Sequence, residues 1–192
     1  MTSPITKRSR RIFRKRSSRS PRKRRRNDLP LFSAAIITVS DKGSRGERED
    51  LSGKEIMDLL KETPFQVVAY EIIPDDTDRI ETTLIEYSDG KNIDLIITTG
   101  GTGVGPRDVT PDATRRIMDK EIPGMAEAMR RESMNKTPHA MISRALAVIR
   151  KETLIINLPG SPRGARENLQ VILPALKHAV EKIKGDESDC AS

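Results

Sequence analysis

The chain has 192 residues, with 35 Lys and Arg against 28 Asp and Glu, for a formal net charge of +7 at pH 7. That length suits one ordinary domain with a tail to spare, and no apolar run approaches the roughly 18 residues of a membrane span. The single cysteine, Cys190, excludes a disulfide framework or a Cys-based zinc site and points to a reduced, cytoplasmic setting. Two histidines (His139, His178) and no Trp leave little for a His-rich metal centre or an aromatic base-stacking platform, and both histidines read as structural or surface residues.

The charge is unevenly spread. Residues 1–30 hold thirteen Lys and Arg against the single acid Asp28, so the remaining residues are mildly acidic. This Arg/Ser-rich stretch has almost nothing to bury and reads as a disordered basic extension. A nucleic-acid or anionic-surface arm, a targeting segment and a solvated extension without a role all remain open for it. The expected organisation is this extension, a domain over 31–185 and a flexible tail over 186–192.

From residue 33 the pattern is that of a folded domain. Ser33–Ser40 is a continuous apolar run of strand length, as in a sheet covered on both faces. Ser52 and Glu55 form a capping box ahead of a helix that turns Ile56, Leu59 and Leu60 inward. Gln66–Ile73 predicts a second strand, Ile80, Leu84 and Tyr87 the face of a second helix, and Asp94–Thr99 a third strand. Thr110 as N-cap and Pro111 as first residue predict a helix to about Lys120, with another over 123–133. Ala145–Arg150 and Thr153–Asn157 predict a hairpin. Ser161-Pro162 opens a last helix with the stripe Leu169, Ile172, Leu173, Leu176, Val180 and Ile183, which Pro174 should kink or restart and Gly185 ends. Strands alternating with helices predict an α/β fold, a three-layer αβα sandwich on a mostly parallel sheet.

In such sheets ligands bind beyond the carboxyl ends of the strands. One loop there reads TTGGTGVGPRDVTPD, where Gly100, Gly101, Gly103 and Gly105 allow a curled, anion-binding nest of backbone N–H groups. It is neither a P-loop nor a dinucleotide fingerprint, and a plain strand-to-helix turn is its alternative. A second loop reads IIPDDTD. Asp75 and Asp76 are either helix N-caps or ligands for Mg²⁺, which takes one or two carboxylates and keeps substrate phosphates and waters. Asp75 and Asp108 come from different strand ends and converge on one ion in the second case. NLPGSPRG (Asn157–Gly164) is either a turn or a further phosphate or ribose contact. No Ser/His/Asp set is present, and none is needed if the nucleophile is a phosphate monoester, whose second pKa is about 6.

Taken together, VSDKGSRGEREDLSG, IIPDD, DLIITTGGTGVGPRDVTPDAT, EIPGMAEAMR, ISRA and LIINLPGSPRG resemble the MogA/MoaB family of molybdopterin adenylyltransferases. The gephyrin G domain is similar, and Val104-Gly105-Pro106 looks closer to the MoaB branch. The resemblance covers residues 33–184 and implies a molybdopterin-binding fold in a homotrimer or homohexamer. It also implies a reaction: the terminal phosphate of molybdopterin attacks the α-phosphate of MgATP, giving adenylylated molybdopterin and pyrophosphate ahead of molybdenum or tungsten insertion. A metal-insertion protein is an implied partner.

Position by position, the resemblance implies that Asp75 and Asp108 are catalytic and hold Mg²⁺. It assigns Gly100, Gly101, Thr102 and Gly103 to substrate phosphate and nucleotide, Ser143 to the pterin side, and Asn157, Pro159, Gly160 and Ser161 to the nucleotide side. Ser40 and Asp41 match a further binding motif. Arg107, with Lys42 and Arg45, is a candidate cation for phosphate. A non-catalytic molybdopterin carrier or scaffold is the rival reading, against which the intact Arg107–Asp112 pattern counts.

Overall fold

The computed structural model describes residues 32–187. The expectations for residues 1–30, and for Cys190 and most of the terminal tail, lie outside the described residues. The elements alternate along the chain: β1 (Phe32–Val39), α1 (Asp41–Ser44), α2 (Leu51–Leu60), β2 (Phe65–Ile73), α3 (Thr77–Ile85), β3 (Leu95–Thr99), α4 (Thr110–Ile117), β4 (Lys120–Glu121), α5 (Pro123–Met134), β5 (Ala147–Arg150), β6 (Thr153–Leu158) and α6 (Pro162–Ile183). A π-turn at Glu86–Gly90 extends α3, and a 3-10 turn at Pro138–Ile142 follows α5.

The six strands form one sheet in the order β2-β1-β3-β6-β5-β4. The first four run parallel, while β5 is antiparallel to both β6 and β4. Side chains alternate between the two faces, so each central strand feeds two cores. Ile36 and Ile97 pack with Leu60, Met129, Leu169 and Leu176 of α2, α5 and α6. Ile37 and Ile96 pack with Ile80, Leu84 and Ile117 of α3 and α4 on the other face. The result is the expected three-layer α/β sandwich. Ile97 is fully buried, and Ile97→Ala should lower stability by about 2–5 kcal/mol through lost burial and the cavity left behind, as read by urea unfolding at unchanged slope.

Several local expectations are corrected. The cap of α2 is Asp50, whose Oδ1 accepts from the Gly53 N–H at 2.9 Å, so the helix begins before Ser52. Asp50 can hold that place because the Thr38 and Tyr70 hydroxyls also donate to its carboxylate, and Ser52 instead donates to the Gly160 carbonyl at 2.7 Å. Thr110 is the first residue of α4 rather than its cap, since its N–H returns to the Gly101 carbonyl at 3.1 Å. That helix stops at Ile117, because Asp119 N–H bonds to the Ile149 carbonyl and Lys120 and Glu121 then pair with β5. Leu59 and Leu173 are only partly buried. Pro174 lies within α6, which runs unbroken for 22 residues.

The connection from β1 through α2 leads outward to β2, whereas that from β2 through α3 returns past β1 to β3. Ligands bind at such reversals. The carboxyl ends of β1, β2, β3 and β6 therefore deliver the segments starting at Ser40, Pro74, Gly100 and Pro159 to one edge of the sheet.

Candidate active site

Two hollows flank the Gly100–Gly103 segment at that edge. The first, about 360 Å³, is lined by Ser40, Asp75, Gly100, Gly101, Gly160 and Ser161, together with residues 48–52. The second, about 250 Å³, is lined by Thr102, Gly103, Ser143, Pro159 and Ser161, with Arg130, His139 and Ile142 on its other side. Ser161 faces both. The glycine segment is thus the ridge between two chambers, which suits a reaction joining two substrates across it.

Backbone geometry explains why that ridge is glycine. Gly100 has φ +107° and Gly101 φ +61°, values that L side chains rarely adopt. Gly103 and Gly105 have no positive φ; they are needed for a different reason. A Cβ on either would stand 2.7 or 2.9 Å from the Asp108 carboxylate, which accepts the Gly105 N–H at 2.7 Å. The expected curl therefore comes from the first two glycines, and the later pair makes room for Asp108.

The two adjacent aspartates of the second loop divide their work. Asp76 caps α3 by accepting the Arg79 N–H at 2.9 Å. Asp75 instead exchanges bonds with Asp41: its Oδ2 accepts the Asp41 N–H at 2.8 Å, and its own N–H donates to Asp41 Oδ1 at 3.1 Å. Arg107 closes the cluster with a forked contact to Asp41, Nη2 lying 2.8 Å from both carboxylate oxygens. The segments after β1, β2 and β3 are locked together in this way. Asp75 Oδ1 also stands over Gly101, 3.2 Å from where a Cβ would be.

Burial pushes the Asp75 carboxyl above its ordinary range, and the nearby charges of Asp41 and Asp108 add to the rise, while the Asp41 N–H and Arg107 oppose it. The guanidinium of Arg107 holds Asp41 below the ordinary range. Asp75 therefore takes up a proton at a higher pH than a free carboxylate would. If its ionised form is required, the acid limb of kcat/KM lies above the usual carboxylate value of 3.8 and moves in Asp41→Asn, as a pH-rate profile would read.

Asp41, Asp75 and Asp108 outnumber Arg107 in this cluster, and of the four only Asp75 lines the first hollow. Among the described residues no three acidic or histidine side chains gather closely enough to cage a metal alone. Asp75 lines the first hollow and Asp108 lines neither; as a pair of carboxylates they are of the chemistry that suits Mg²⁺, which takes one or two protein carboxylates and completes its shell with phosphate and water oxygens.

Other predicted residues fall in unexpected places. Asn157 lines neither hollow. It is fully buried, and its amide donates to the Thr98 and Thr114 hydroxyls at 3.0 Å, so it braces β6 against β3 and α4 from beneath. Pro159 faces the second hollow rather than the first. The Ser40 hydroxyl caps α1, accepting from the Gly43 N–H at 3.1 Å. Of the candidate cations, Arg107 is engaged by Asp41 and Arg45 by Glu47, whereas Arg48, not singled out from the sequence, lines the first hollow. His139, read as a surface or structural residue, lines the second hollow. Arg144 was missed as well, although it stands beside Ser143.

Comparison with known proteins gives a consistent answer. A family model described as "Probable molybdopterin binding domain" matches residues 35–178. A molybdopterin adenylyltransferase of Helicobacter pylori (strain J99) is 44% identical over 160 residues, covering 82% of this chain and 91% of the relative. One from Escherichia coli K12 is 41% identical over 143 residues, covering 73% of each. Among solved structures, the molybdopterin biosynthesis enzyme MoaB from Thermus thermophilus is similar at a TM-score of 0.77 and 50% identity, covering 81% of this chain and 98% of that one. The tungsten cofactor synthesizing protein MoaB from Pyrococcus furiosus is similar at a TM-score of 0.74 and 33% identity, covering 81% and 99%. The two hollows, the glycine ridge and these matches lead to one family: the chain belongs to the molybdopterin-binding family that includes MogA and MoaB.

Proposed function

We propose that this protein is a molybdopterin adenylyltransferase, which transfers AMP from MgATP to the terminal phosphate of molybdopterin and releases pyrophosphate. The observation that carries this reading is the glycine ridge with Asp75 beside it, separating one hollow for each substrate. The names of the relatives support it, since those from H. pylori and E. coli are molybdopterin adenylyltransferases.

The chemistry asks little of the protein in proton transfer. A phosphate oxygen of molybdopterin, already an anion near neutral pH, forms a bond to the α-phosphorus of ATP, and the bond from that phosphorus to the bridging oxygen breaks, sending its electrons into pyrophosphate. What remains to be supplied is alignment and charge compensation. The Gly100–Gly103 backbone holds the two phosphates on either side of one ridge. Ser161, at the start of α6 and facing both hollows, is placed to meet the junction between substrates. Asp75 and Asp108 would hold Mg²⁺, which would offset the charge gathering on the triphosphate. Arg48, at the lining of the first hollow, adds a cation on the nucleotide side.

The same reading includes a homotrimer or homohexamer, a cytoplasmic setting and hand-over of the product to a metal-insertion protein. Among the described residues no helix is long and apolar enough to cross a membrane. The direct test is the product itself. Molybdopterin incubated with the protein and MgATP should gain the mass of an AMP group, and recovery of unmodified molybdopterin at full occupancy would overturn the assignment in favour of a carrier.

A further inference from the structure

Arg144 lies half-buried where the chain leaves the 3-10 turn and approaches β5. All four of its nitrogens serve residues 102–112, the stretch that carries Asp108. The backbone N–H donates to the Thr102 carbonyl at 2.9 Å, and Nε to the Gly103 carbonyl at 2.7 Å. Nη2 donates to the Asp108 carbonyl, while Nη1 and Nη2 meet the Asp112 carboxylate at 3.0 and 2.9 Å.

Between Gly103 and Asp108 the segment has little else to hold it. It is neither strand nor helix, and Val104, Gly105, Pro106 and Arg107 are all exposed. Three bonds close it on itself: Gly105 N–H to the Asp108 carboxylate, Asp108 N–H to the Gly105 carbonyl and Val109 N–H to the Arg107 carbonyl. Val109 packs against the core at the far end and the exposed Arg107 pairs with Asp41, but the bonds within the turn do not tie Asp108 itself to the sheet. Arg144 does, from the side of the second hollow. A planar guanidinium can serve two carbonyls and a carboxylate at once in fixed directions, which an ammonium cannot.

We propose that Arg144 is a positioning residue that sets the place of Asp108 by clamping both ends of the loop around it. Its kinetic consequence rests on the adenylyltransferase reading; its structural consequence does not. Full-length wild type, Arg144→Met, Arg144→Lys, Asp108→Ala and the Arg144→Met/Asp108→Ala double variant test it, each measured in adenylylation and in amide hydrogen exchange.

Arg144→Met should lower kcat about 100-fold, the scale on which small misplacements of a reacting group act, with the KM for molybdopterin within about twofold of wild type. Arg144→Lys should fail to restore kcat. The double variant should be no slower than Asp108→Ala, because both changes act through one carboxylate. Exchange of the 103–109 amides should rise about tenfold in Arg144→Met while β1, β3 and β6 keep their protection. Additive losses in the double variant, or protection lost throughout the sheet, would show a merely structural residue. If wild type makes no adenylylated product, the functional reading falls by itself, and unchanged exchange at 103–109 in Arg144→Met then overturns the clamp.

Discussion

Asp75→Ala is expected to cut adenylylation by about 100-fold or more, the loss typical of removing one preorganised electrostatic group from a site, while the protein stays folded. Asp75 is the carboxylate that lines the first hollow and stands over Gly101. No hydrophobic packing depends on it, and Asp76 rather than Asp75 caps α3. Its main structural duty is to accept the Asp41 N–H. Asp75→Asn keeps that acceptor and separates the two roles, since activity should fall as it does for alanine while the fold is held.

The direction of the pKa shift sharpens this expectation. The folded state raises the Asp75 pKa, so it binds the proton more tightly than the unfolded chain does. The stability linked to that proton is present below the unfolded value and is lost as pH rises through the folded one. At neutral pH the ionised carboxylate is thus a cost to the fold. Asp75→Asn should melt no lower than wild type at pH 7, with any advantage shrinking in acid. A melting temperature well below wild type at pH 7 would show that Asp75 serves the fold instead.

Gly100→Ala should have the largest effect on fold and activity together. Gly100 sits at φ +107°, and a Cβ there would stand 2.2 Å from the Val39 carbonyl oxygen, on backbone that cannot swing away. A strained φ alone costs about 1–3 kcal/mol, and relieving the clash would shift the ridge against β1. Gly160 adjoins the same spot, since a Cβ built on it would stand 3.1 Å from the Gly100 α-carbon. We expect at least about 3 kcal/mol of lost stability and no measurable transfer in whatever remains folded. Gly124→Ala is the matched control, since a Cβ there meets nothing within 4 Å and the residue lies in the first turn of α5. It should be neutral or slightly stabilising, and equal losses at both positions would contradict the packing argument.

The architecture was readable because its signals are local and redundant. The apolar runs of β1, β3 and β6 are long enough to demand cover on both faces, and the stripes of α2, α3 and α6 supply it. Boundaries were harder, as the competition was tertiary. Asp50 outdid Ser52 as a cap because Thr38 and Tyr70, from β1 and β2, reach its carboxylate. Residues 120–121 joined the sheet only because β5 offered them an edge. Pro174 did not restart the long helix, which runs on through it, although a proline there is expected to kink or restart one.

The candidate site divides in the same way. Asp75, Asp108 and the glycines stand out in the sequence because such residues cluster at strand ends for few purely structural reasons. Asn157 was misplaced because its motif touches the site while its side chain turns inward to two threonines. Arg107 reads in the sequence as a free cation for phosphate, and only the fold brings Asp41 to it. Arg144 was invisible since its partners, Gly103, Asp108 and Asp112, lie more than 30 residues before it.

In this reading two substrates react across the glycine ridge under the control of Asp75. Pyrophosphate release from MgATP, measured with and without molybdopterin in wild type and Asp75→Asn, tests it most directly. Release should depend on molybdopterin and disappear in the variant. Tight molybdopterin binding with ATP left untouched, or equal release by both proteins, would contradict it.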